Sequence, residues 1–528
     1  MKSVRRKRIN NQKQIAANEQ NLHKVVALGA LCLALFMVTL DDTGLNVALP
    51  KIQLGLGVDV SGLQWILNAY TLAGICLVLP SGTLGDIYGR KQIFVAGLIL
   101  FTTASLICGS APNLDILIVG RMVQGIGAAS IVPGSLSILS STFPAPKEKA
   151  KAIGIWSAVT GLALVGGPVV CGLLVDTLGW QSVFFINLPL GIITIWLTLS
   201  FVQEVGKPRK QHVDVLGCLL SIVFLASLIY ALIEGNAGVW HSPLVLSLLA
   251  VAGFSFLTFL IVESRSSNPM LPLHLLSNRT FAVLNIVSDL TIFTFVSLLF
   301  IFSLFLQHVQ GYSAAAAGVR FLPMNGAYIF ASLISGWLAT KMGWRLAIAT
   351  GLSMTSVAMF SFTRISADTE YGAVIGSLII SGFGAGLAIT PLLAAAMSAT
   401  PPSQAGTASA VLNVSNRLGN VLGIAIQGTV LTYWLASDLR KSLSAWNLPS
   451  NLQERLIVNA LHGGIEVSSD LPVGISPSVW HQAFSQAFIS GVHAAVSIAS
   501  VALLAGAFLV LIFVPPMSRR RSPMTIDQ

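Results

Sequence analysis

The first residues that could do chemistry are two adjacent carboxylates, Asp41 and Asp42, in an apolar run that begins at Val25. A carboxylate at the centre of a bilayer costs about 2.5–3.5 kcal/mol. We expect a function that offsets this cost, and proton binding is the chemistry that a lone carboxyl group can do there. The two side chains lie about 100° apart on a helix. Asp42 therefore shares a face with Asn46 at i+4, whereas Asp41 points elsewhere.

An alternative places both acids among the lipid headgroups. It requires the first span to end near residue 40, so that the segment TGLNVALP at 43–50 lies outside the membrane. The apolar run would then be shorter than the roughly 20 residues that a helix needs to cross. We therefore favour a function for at least one of the two acids.

Other polar residues also interrupt apolar runs. Arg121 lies within the fourth run, where an unpaired arginine is expensive, and we expect a carboxylate partner for it. Asp289 lies about ten residues into the ninth run, near the midplane by helix rise. It could bind a cationic substrate or a second proton, or it could hold a hydroxyl or an arginine of a neighbouring helix. With Asn413 and Arg417 in the thirteenth run, it forms our set of candidate substrate-binding residues.

The elements that position these residues are long apolar segments. The chain has 528 residues, of which 54% are hydrophobic and 9% charged, whereas a soluble domain is about 25% charged. We predict an all-α polytopic membrane protein with fourteen transmembrane helices. The predicted spans are 25–49, 62–81, 92–110, 114–137, 152–175, 182–202, 214–234, 243–262, 280–307, 315–340, 345–363, 371–397, 407–432 and 482–514.

The charge distribution sets the orientation. With both termini in the cytoplasm, 22 of the 30 Lys and Arg lie on the inside and five on the outside. This asymmetry follows the positive-inside rule, so we predict a multi-pass protein of the plasma (inner) membrane with both termini cytoplasmic. It also accounts for the net charge of +10 without a nucleic-acid partner.

Several function classes are excluded. The five cysteines lie in apolar runs without metal or redox spacing, and the eight histidines form no metal-binding pattern. No phosphate-binding loop of an ATP motor is present. We predict no metal, no cofactor other than the proton as coupling ion, and no enzymatic activity. The stretch 433–481 is too short for an enzyme domain, and we interpret it as an external loop or cap.

A short internal repeat relates the two halves of the chain. The loop predicted after the second span, GTLGDIYGRK at 82–91, and the loop predicted after the tenth span, GWLATKMGWR at 336–345, share glycine, leucine and a basic residue at matching offsets. Parallel repeats around a midplane site are typical of transporters. We therefore predict two six-helix pseudo-symmetric bundles with two extra central helices. The predicted boundaries are a basic tail at 1–24, a bundle at 25–202, two linking helices at 203–279, a bundle at 280–514 and a tail at 515–528.

Six ordered motifs match one family. They are LDDTGLNVALP at 40–50, WILNAYTLA at 65–73 leading into the 82–91 segment, RMVQGIGAA at 121–129, GLALVGGPVVCG at 161–172, GWQSVFFINLPLG at 179–191 and GTASAVLNVSNRLG at 406–419. In these motifs the chain resembles the major facilitator superfamily, specifically its 14-helix drug:proton antiporter branch.

The resemblance implies roles for particular residues. Asp41 matches the acid of the first-helix motif and would carry the proton, whereas Asp42 falls at a variable position. Arg121 matches the fourth-helix motif and would be coupled to Asp41, with a purely structural salt bridge as the alternative. The loop motif would form a latch that closes the cytoplasmic side, although positive-inside charge alone accounts for its two basic residues. The latch residues are Gly82, Asp86, Gly89, Arg90 and Lys91.

The fifth-helix motif contains Gly161, Gly167, Pro168 and Gly172, and the resemblance implies a hinge and seal between the two halves. Generic packing through small residues is the alternative for the glycines. The chain departs from the family at Ile87, where the loop motif often has arginine, and at Cys171, where the antiporter motif usually has glycine.

The function that follows is a proton-coupled efflux antiporter, which exports amphipathic drugs or toxic compounds by alternating access. A dedicated exporter of a single antibiotic or metabolite is an alternative, and a proton-coupled nutrient symporter is a weaker one. The expected partners are a small-molecule substrate and the lipid bilayer, joined by a periplasmic adaptor protein where the host has an outer membrane.

Overall fold

A computed structural model describes residues 2–204, 214–234, 241–266, 275, 277–400, 405–446, 448–462 and 476–515, and the regular structure within these ranges is helical, without strands. The helices of the first part are α1 (Lys2–Leu56), α2 (Val60–Tyr88), α3 (Arg90–Gly109), α4 (Leu114–Thr142), α5 (Pro146–Leu178), α6 (Ser182–Phe185), α7 (Asn187–Phe201), α8 (Val215–Glu234) and α9 (Pro243–Arg265). The later helices are α10 (Arg279–Leu304, followed by a π-helical turn at Phe305–Val309), α11 (Ala314–Arg320), α12 (Leu322–Met342), α13 (Trp344–Ser361), α14 (Tyr371–Ser398), α15 (Ala405–Ala445), α16 (Ser450–Leu461) and α17 (Pro477–Phe513).

Membrane-spanning segments account for most of these helices. Among the described residues, thirteen segments are long and apolar enough to cross a membrane, and each coincides with a predicted span. The remaining predicted span, 62–81, lies within α2, which is helical but is not among the thirteen. The all-helical membrane architecture is therefore confirmed, and the count of fourteen spans stays a prediction.

Side-chain caps fix where several helices begin. The Asp59 carboxylate accepts from the Gly62 N–H at 2.8 Å before α2, and the Asn113 side chain accepts from the Ile116 N–H at 3.0 Å before α4. Asn278 caps α10 in the same manner. Such residues satisfy backbone donors that have no partner in the first helical turn.

Two helices extend beyond the apolar runs that predicted them. α1 begins at Lys2 and continues past the predicted end of the first span to Leu56. α15 continues from the predicted end at 432 to Ala445, and α16 follows it. Of the two interpretations of 433–481, a loop does not fit 433–445 and α16, which are helical, and an external cap stays a prediction. Residues 463–475 lie outside the described residues.

The repeated segments at 82–91 and 336–345 were predicted to be loops, and this prediction is wrong because each is helical except for one residue. In each of them a single glycine separates two helices: Gly89 between α2 and α3, and Gly343 between α12 and α13. Both have positive φ, of +112° and +82°, a conformation that favours glycine. Both donate their N–H to the residue four positions back, Gly85 and Ala339. The repeat is thus a repeat of helix junctions.

Two compact units make up the chain. The first contains residues 1–231, 243–270 and 311–320, and the second contains residues 232–242, 271–310 and 321–528. In the first unit α1 packs against α5, α7 and α4, while α4 also packs against α2 and α3. In the second unit α14 packs against α12 and α13, while α10 packs against α15 and α17. The domain boundaries proposed from the sequence stay a prediction.

Candidate functional site

The carboxylate of Asp41 lies in the interior of the first unit, on α1. It is fully buried, and α1 continues for another fifteen residues to Leu56, or about 22 Å by helix rise. Its Oδ2 accepts a hydrogen bond from Arg121 Nη1 at 2.5 Å. Its Oδ1 accepts from Asn187 Nδ2 at 2.9 Å and from Gln124 Nε2 at 3.2 Å. Asp41 is therefore enclosed by protein side chains, while the depth of the two acids in the membrane stays a prediction.

Arg121 is held from three further directions. Its Nε donates to the backbone carbonyl of Ile66 at 3.2 Å, and its Nη1 also donates to Gln124 Oε1 at 2.9 Å. The guanidinium carbon lies 4.2 Å from the centroid of the Tyr70 ring, a cation–π distance. The guanidinium thus keeps neutral acceptors on α2 and α4 in addition to its ion pair with α1.

Gln124 extends this network to α3. Its Nε2 donates to Ser105 Oγ at 2.7 Å, and its Oε1 lies 3.4 Å from the Cys108 thiol, which donates to it. All three side chains are buried. Because buried polar groups are costly when they lack partners, this arrangement holds α1, α3 and α4 in one register.

The paired charges make the network electrically neutral overall. A buried ion pair is not by itself stabilising, but removal of one partner leaves an uncompensated charge and costs about 3–5 kcal/mol. A proton on Asp41 would have the same local consequence, since it removes the negative charge that faces Arg121. The geometry therefore suits a site whose helix contacts change when a proton binds.

Asp42 is half-buried, in contrast to its fully buried neighbour. The expected relation with Asn46 is present but runs through the backbone, since Asn46 Nδ2 donates to the carbonyl oxygen of Asp42 at 3.3 Å. The hydrogen bonds from Arg121, Gln124 and Asn187 go to Asp41.

Sequence reasoning did not assign Gln124, Asn187 and Tyr70 to this site, although each stands in a motif quoted above. Gln124 follows Arg121 by three residues and so shares its helix face. Asn187 and Tyr70 lie on other helices, and only the crossing of α1 with α7 and of α2 with α4 brings them to Asp41 and Arg121. A polar residue within an otherwise apolar motif was the available sign.

The glycines of the α5 motif face two different helices of the first unit. Gly167 lies against α1 at Thr43, and Gly172 lies against the backbone of Ala314 in α11. Pro168 contributes its backbone to the second contact, because the missing side chain of Gly318 allows close approach there. Gly161 is half-buried and lies earlier in α5.

Cys171 replaces the usual glycine of this motif and is accommodated by its neighbour. Its side chain lies where a Cβ on Gly44 would be, so the absent side chain on α1 makes room for the sulfur. Cys171 is fully buried at this contact. The departure from the family pattern is therefore compensated on the facing helix.

An aspartate that the sequence did not single out joins α5 to the start of α11. Asp176 Oδ1 accepts from the Ala314 N–H at 3.1 Å, and Oδ2 accepts from the Ala315 N–H at 2.8 Å. Both N–H groups lie in the first turn of α11, where they lack helical partners. The contact between α5 and α11 thus combines close backbone approach with a charged cap.

Replacing Gly172 by alanine is expected to destabilise the protein by about 1–3 kcal/mol. A Cβ there would lie 2.6 Å from the Ala314 carbonyl oxygen, which is backbone and cannot rotate away. Gly166 is the matched control on the same helix, because a Cβ there meets nothing within 4 Å. Gly166→Ala should be neutral or stabilising, since alanine is the better helix former.

The measurement is the thermal unfolding midpoint of each purified variant in detergent. The two substitutions add the same methyl group to the same helix and differ only in what surrounds it. Equal midpoints for Gly166→Ala and Gly172→Ala would contradict the importance of the α5–α11 contact.

The residues of the loop motif lie at the junction of α2 and α3. Lys91 donates its backbone N–H to Glu204 Oε1 at 3.1 Å, and its Nζ donates to the Leu199 carbonyl at 2.9 Å. The Glu204 carboxylate also lies 3.0 Å from the position of a Cβ on Gly89. The junction is therefore tied to the end of α7 by Glu204, a residue that sequence reasoning missed.

Two of the other latch residues are placed by the helices that contain them. Gly82 lies within α2, and Arg90 is the first residue of α3. The side chain of Asp86 lies outside the described residues. The closing role of these residues stays a prediction.

Asp289 lies in the second unit, on α10 against α15. Ser415 Oγ donates to its Oδ2 at 2.6 Å. Arg417 is half-buried and Asn413 exposed on the same helix as Ser415. Two residues correspond to about 200° of helix rotation, so Arg417 lies on the opposite side of α15 from Ser415. Within the described residues, the three substrate-binding candidates therefore do not form one cluster.

Comparison with known proteins gives one consistent family. The model of the Major Facilitator Superfamily matches residues 31–424. The Multidrug resistance protein Stp of Mycobacterium tuberculosis (strain CDC 1551 / Oshkosh) is 36% identical over 441 residues, which cover 84% of this chain and 82% of that protein. The Methylenomycin A resistance protein of Streptomyces coelicolor (strain ATCC BAA-471 / A3(2) / M145) is 33% identical, covering 84% and 96%.

A solved structure has the same fold. The crystal structure of a bacterial homologue of the human lysosomal transporter Spinster, in an inward-facing and unoccupied conformation, matches with a TM-score of 0.65 and 19% identity. The match covers 93% of this chain and 98% of that one.

Proposed function

Because this chain belongs to the Major Facilitator Superfamily of membrane transporters, we propose that it exports amphipathic drugs or toxic compounds in exchange for protons. Its relatives include proteins named for multidrug resistance and for resistance to a single antibiotic. The observation that carries the proposal is the fully buried Asp41–Arg121 pair. Such a pair within a membrane is expensive unless it is used.

Coupling would work through the partners of Arg121. A proton that enters from outside binds Asp41 and cancels the charge that faces the guanidinium. Arg121 keeps the Ile66 carbonyl, Gln124 Oε1 and the Tyr70 ring as neutral partners. The link between α1 and α4 then weakens without leaving the arginine unsolvated, and α1 is free to move relative to α4.

The driving force is sufficient. One charge that crosses the membrane gains about 2.3 kcal/mol per 100 mV, and a tenfold concentration ratio costs about 1.4 kcal/mol. One net charge per cycle therefore supports a gradient of roughly fifty-fold at 100 mV. Efflux of this size needs no ATP, in agreement with the absence of a phosphate-binding loop from the sequence.

Cells that express the chain are expected to accumulate less of a fluorescent drug such as ethidium than cells with an empty vector. An uncoupler should remove the difference within the same experiment. A screen across toxic compounds, read as growth and accumulation, tests the breadth of the substrate range. Efflux that persists after the uncoupler has collapsed the pH gradient and the membrane potential would contradict proton coupling.

A dedicated exporter of a single antibiotic is the second candidate, and the similarity to a methylenomycin resistance protein favours it. In that case only one compound or a narrow class would respond in the screen. We place the protein in the plasma (inner) membrane with both termini cytoplasmic, on the charge asymmetry described above. An adaptor is proposed for a host with an outer membrane, and co-purification from such a host tests it.

A further inference from the structure

Asp289, the acid of the second unit, is not used by the coupling mechanism above. It lies on α10 where that helix approaches α15 closely, because a Cβ on Gly419 would lie 2.6 Å from the Asp289 carbonyl oxygen. This approach carries several polar side chains into the contact between the two helices.

Two hydrogen bonds at this contact form a chain that ends at Asp289. Asn285 Nδ2 donates to Ser415 Oγ at 3.0 Å, and Ser415 Oγ donates to Asp289 Oδ2 at 2.6 Å. Beside them, Ser288 Oγ donates to Asn416 Oδ1 at 2.5 Å. The carboxyl group of Asp289 is therefore the end of a relay of neutral donors.

The two carboxyl oxygens of Asp289 have unequal surroundings. Oδ2 accepts one bond from a hydroxyl group, whereas Oδ1 is buried and has no hydrogen-bond partner among the described residues. Asp41, by comparison, receives a guanidinium and two amide donors. The two buried acids thus differ in what their surroundings can stabilise: Asp41 as an anion, and Asp289 as a neutral acid.

Basic groups of α10 and α15 lie away from Asp289. Arg417 follows Ser415 by two positions and so lies about 200° around α15. Arg279 lies ten residues before Asp289 on α10, and His308 lies nineteen residues after it in the π-helical turn, or about 15 Å and 28 Å away by helix rise. Among the described residues, Asp289 makes no ion pair within 4 Å.

The other two helices against α10 add no basic partner. The sequence of α14 contains no charged residue and no histidine. α17 approaches at Gly506, where a Cβ would lie 3.5 Å from Leu290 Cδ1. His493 of α17 is thirteen residues away from Gly506, or about 20 Å, and its Nε2 is bonded to the Ile365 carbonyl.

We propose that Asp289 is a second proton-binding site, which carries a proton on Oδ1 in this conformation while Asp41 is ionised. An isolated buried carboxylate is strongly disfavoured, and the group becomes neutral by taking up a proton. Protonation removes the buried negative charge, and the proton comes from hydronium of the bulk solvent, which becomes water. Its place in a transport cycle rests on the proton coupling proposed above, whereas the protonation itself does not.

Infrared difference spectroscopy of the full-length protein in lipid tests the site without any substrate. At neutral pH the wild type should show the carbonyl band of a protonated carboxylic acid, and the band should shift in D₂O. Asp289→Asn should lack this band, and it should bind about one proton fewer per molecule than the wild type. Asp41→Asn, the matched control, should keep it. Absence of the band from the wild type, or its persistence unchanged in Asp289→Asn, would overturn the proposal.

A second variant guards against misfolding. Asp289→Glu keeps an acid at the position, so the band should remain at a shifted frequency. An unshifted band in this variant would assign the signal to another carboxyl group. The uncoupler experiment is independent of these spectra. If the uncoupler left efflux unchanged while the band was present in the wild type and absent from Asp289→Asn, the coupling proposal would fail and the proton site would stand.

Discussion

Replacing Asp41 by asparagine is expected to leave the protein folded. Its substrate-driven proton release should fall to the level of vesicles that lack the protein. Asparagine has the size of aspartate and can still accept from Asn187 and Gln124 through its one carbonyl oxygen. It cannot gain or lose a proton near neutral pH. The proton that Asp41 is proposed to carry therefore has no site beside Arg121, and efflux against a gradient should stop.

The measurement uses everted membrane vesicles that are energised and loaded with a fluorescent pH probe. Addition of ethidium should release protons with the wild type and not with Asp41→Asn. Asp42→Asn is the matched control, because the same atom changes at the neighbouring, half-buried position. Full coupled transport by Asp41→Asn would refute the assignment of the proton to Asp41.

The control also separates two meanings of the paired aspartates. The sequence shows two identical side chains about 100° apart on a helix, and the resemblance to the family favours Asp41. The structure adds the physical difference between them: Asp41 is fully buried against Arg121, Gln124 and Asn187, whereas Asp42 is half-buried. A loss of coupling in Asp42→Asn alone would reverse their roles.

The sequence could predict the ion pair but not its surroundings. Arg121 within an apolar run requires an acid nearby, and few acids lie in apolar runs. Asn187 and Ser105 carry no comparable requirement, because a neutral polar residue in a membrane helix can bond to its own backbone. Their positions follow from how α3 and α7 cross the helices that carry the charges, and hydropathy does not specify that crossing.

Helix ends were harder to predict than helix interiors for a physical reason. Apolarity sets where a chain is inside the membrane, but it does not set where a helix stops. α1 begins at Lys2 because its polar segment is rich in Lys, Arg, Gln and Ala, which are good helix formers. The segments around Gly89 and Gly343 suggested loops, yet a single residue with positive φ suffices to separate two helices.

The two buried acids illustrate a further limit. Asp41 and Asp289 look alike in sequence, since each interrupts an apolar run. Their donors differ in charge, and this difference decides which acid is stable as an anion. Only spatial partners provide this information, and Ser415 lies 126 residues from Asp289 along the chain.

Removal of Arg121 is expected to have the largest effect on stability. Arg121→Met keeps much of the side-chain volume but leaves the Asp41 carboxylate buried without a cation. Loss of one partner of a buried pair costs about 3–5 kcal/mol. The thermal unfolding midpoint of the purified variant should fall clearly below that of the wild type.

The double variant Arg121→Met/Asp41→Asn should recover most of this loss, because a neutral pair leaves no unpaired charge in the interior. Arg440→Met is the matched control, since Arg440 forms an exposed pair with Glu454, at 3.0 Å between Nη2 and Oε1. Exposed pairs contribute about 0–1 kcal/mol, so its midpoint should barely change. If the double variant were no more stable than Arg121→Met, the cost would come from the contacts of Arg121 with Ile66 and Tyr70, and the charge of Asp41 would not be what makes Arg121 indispensable.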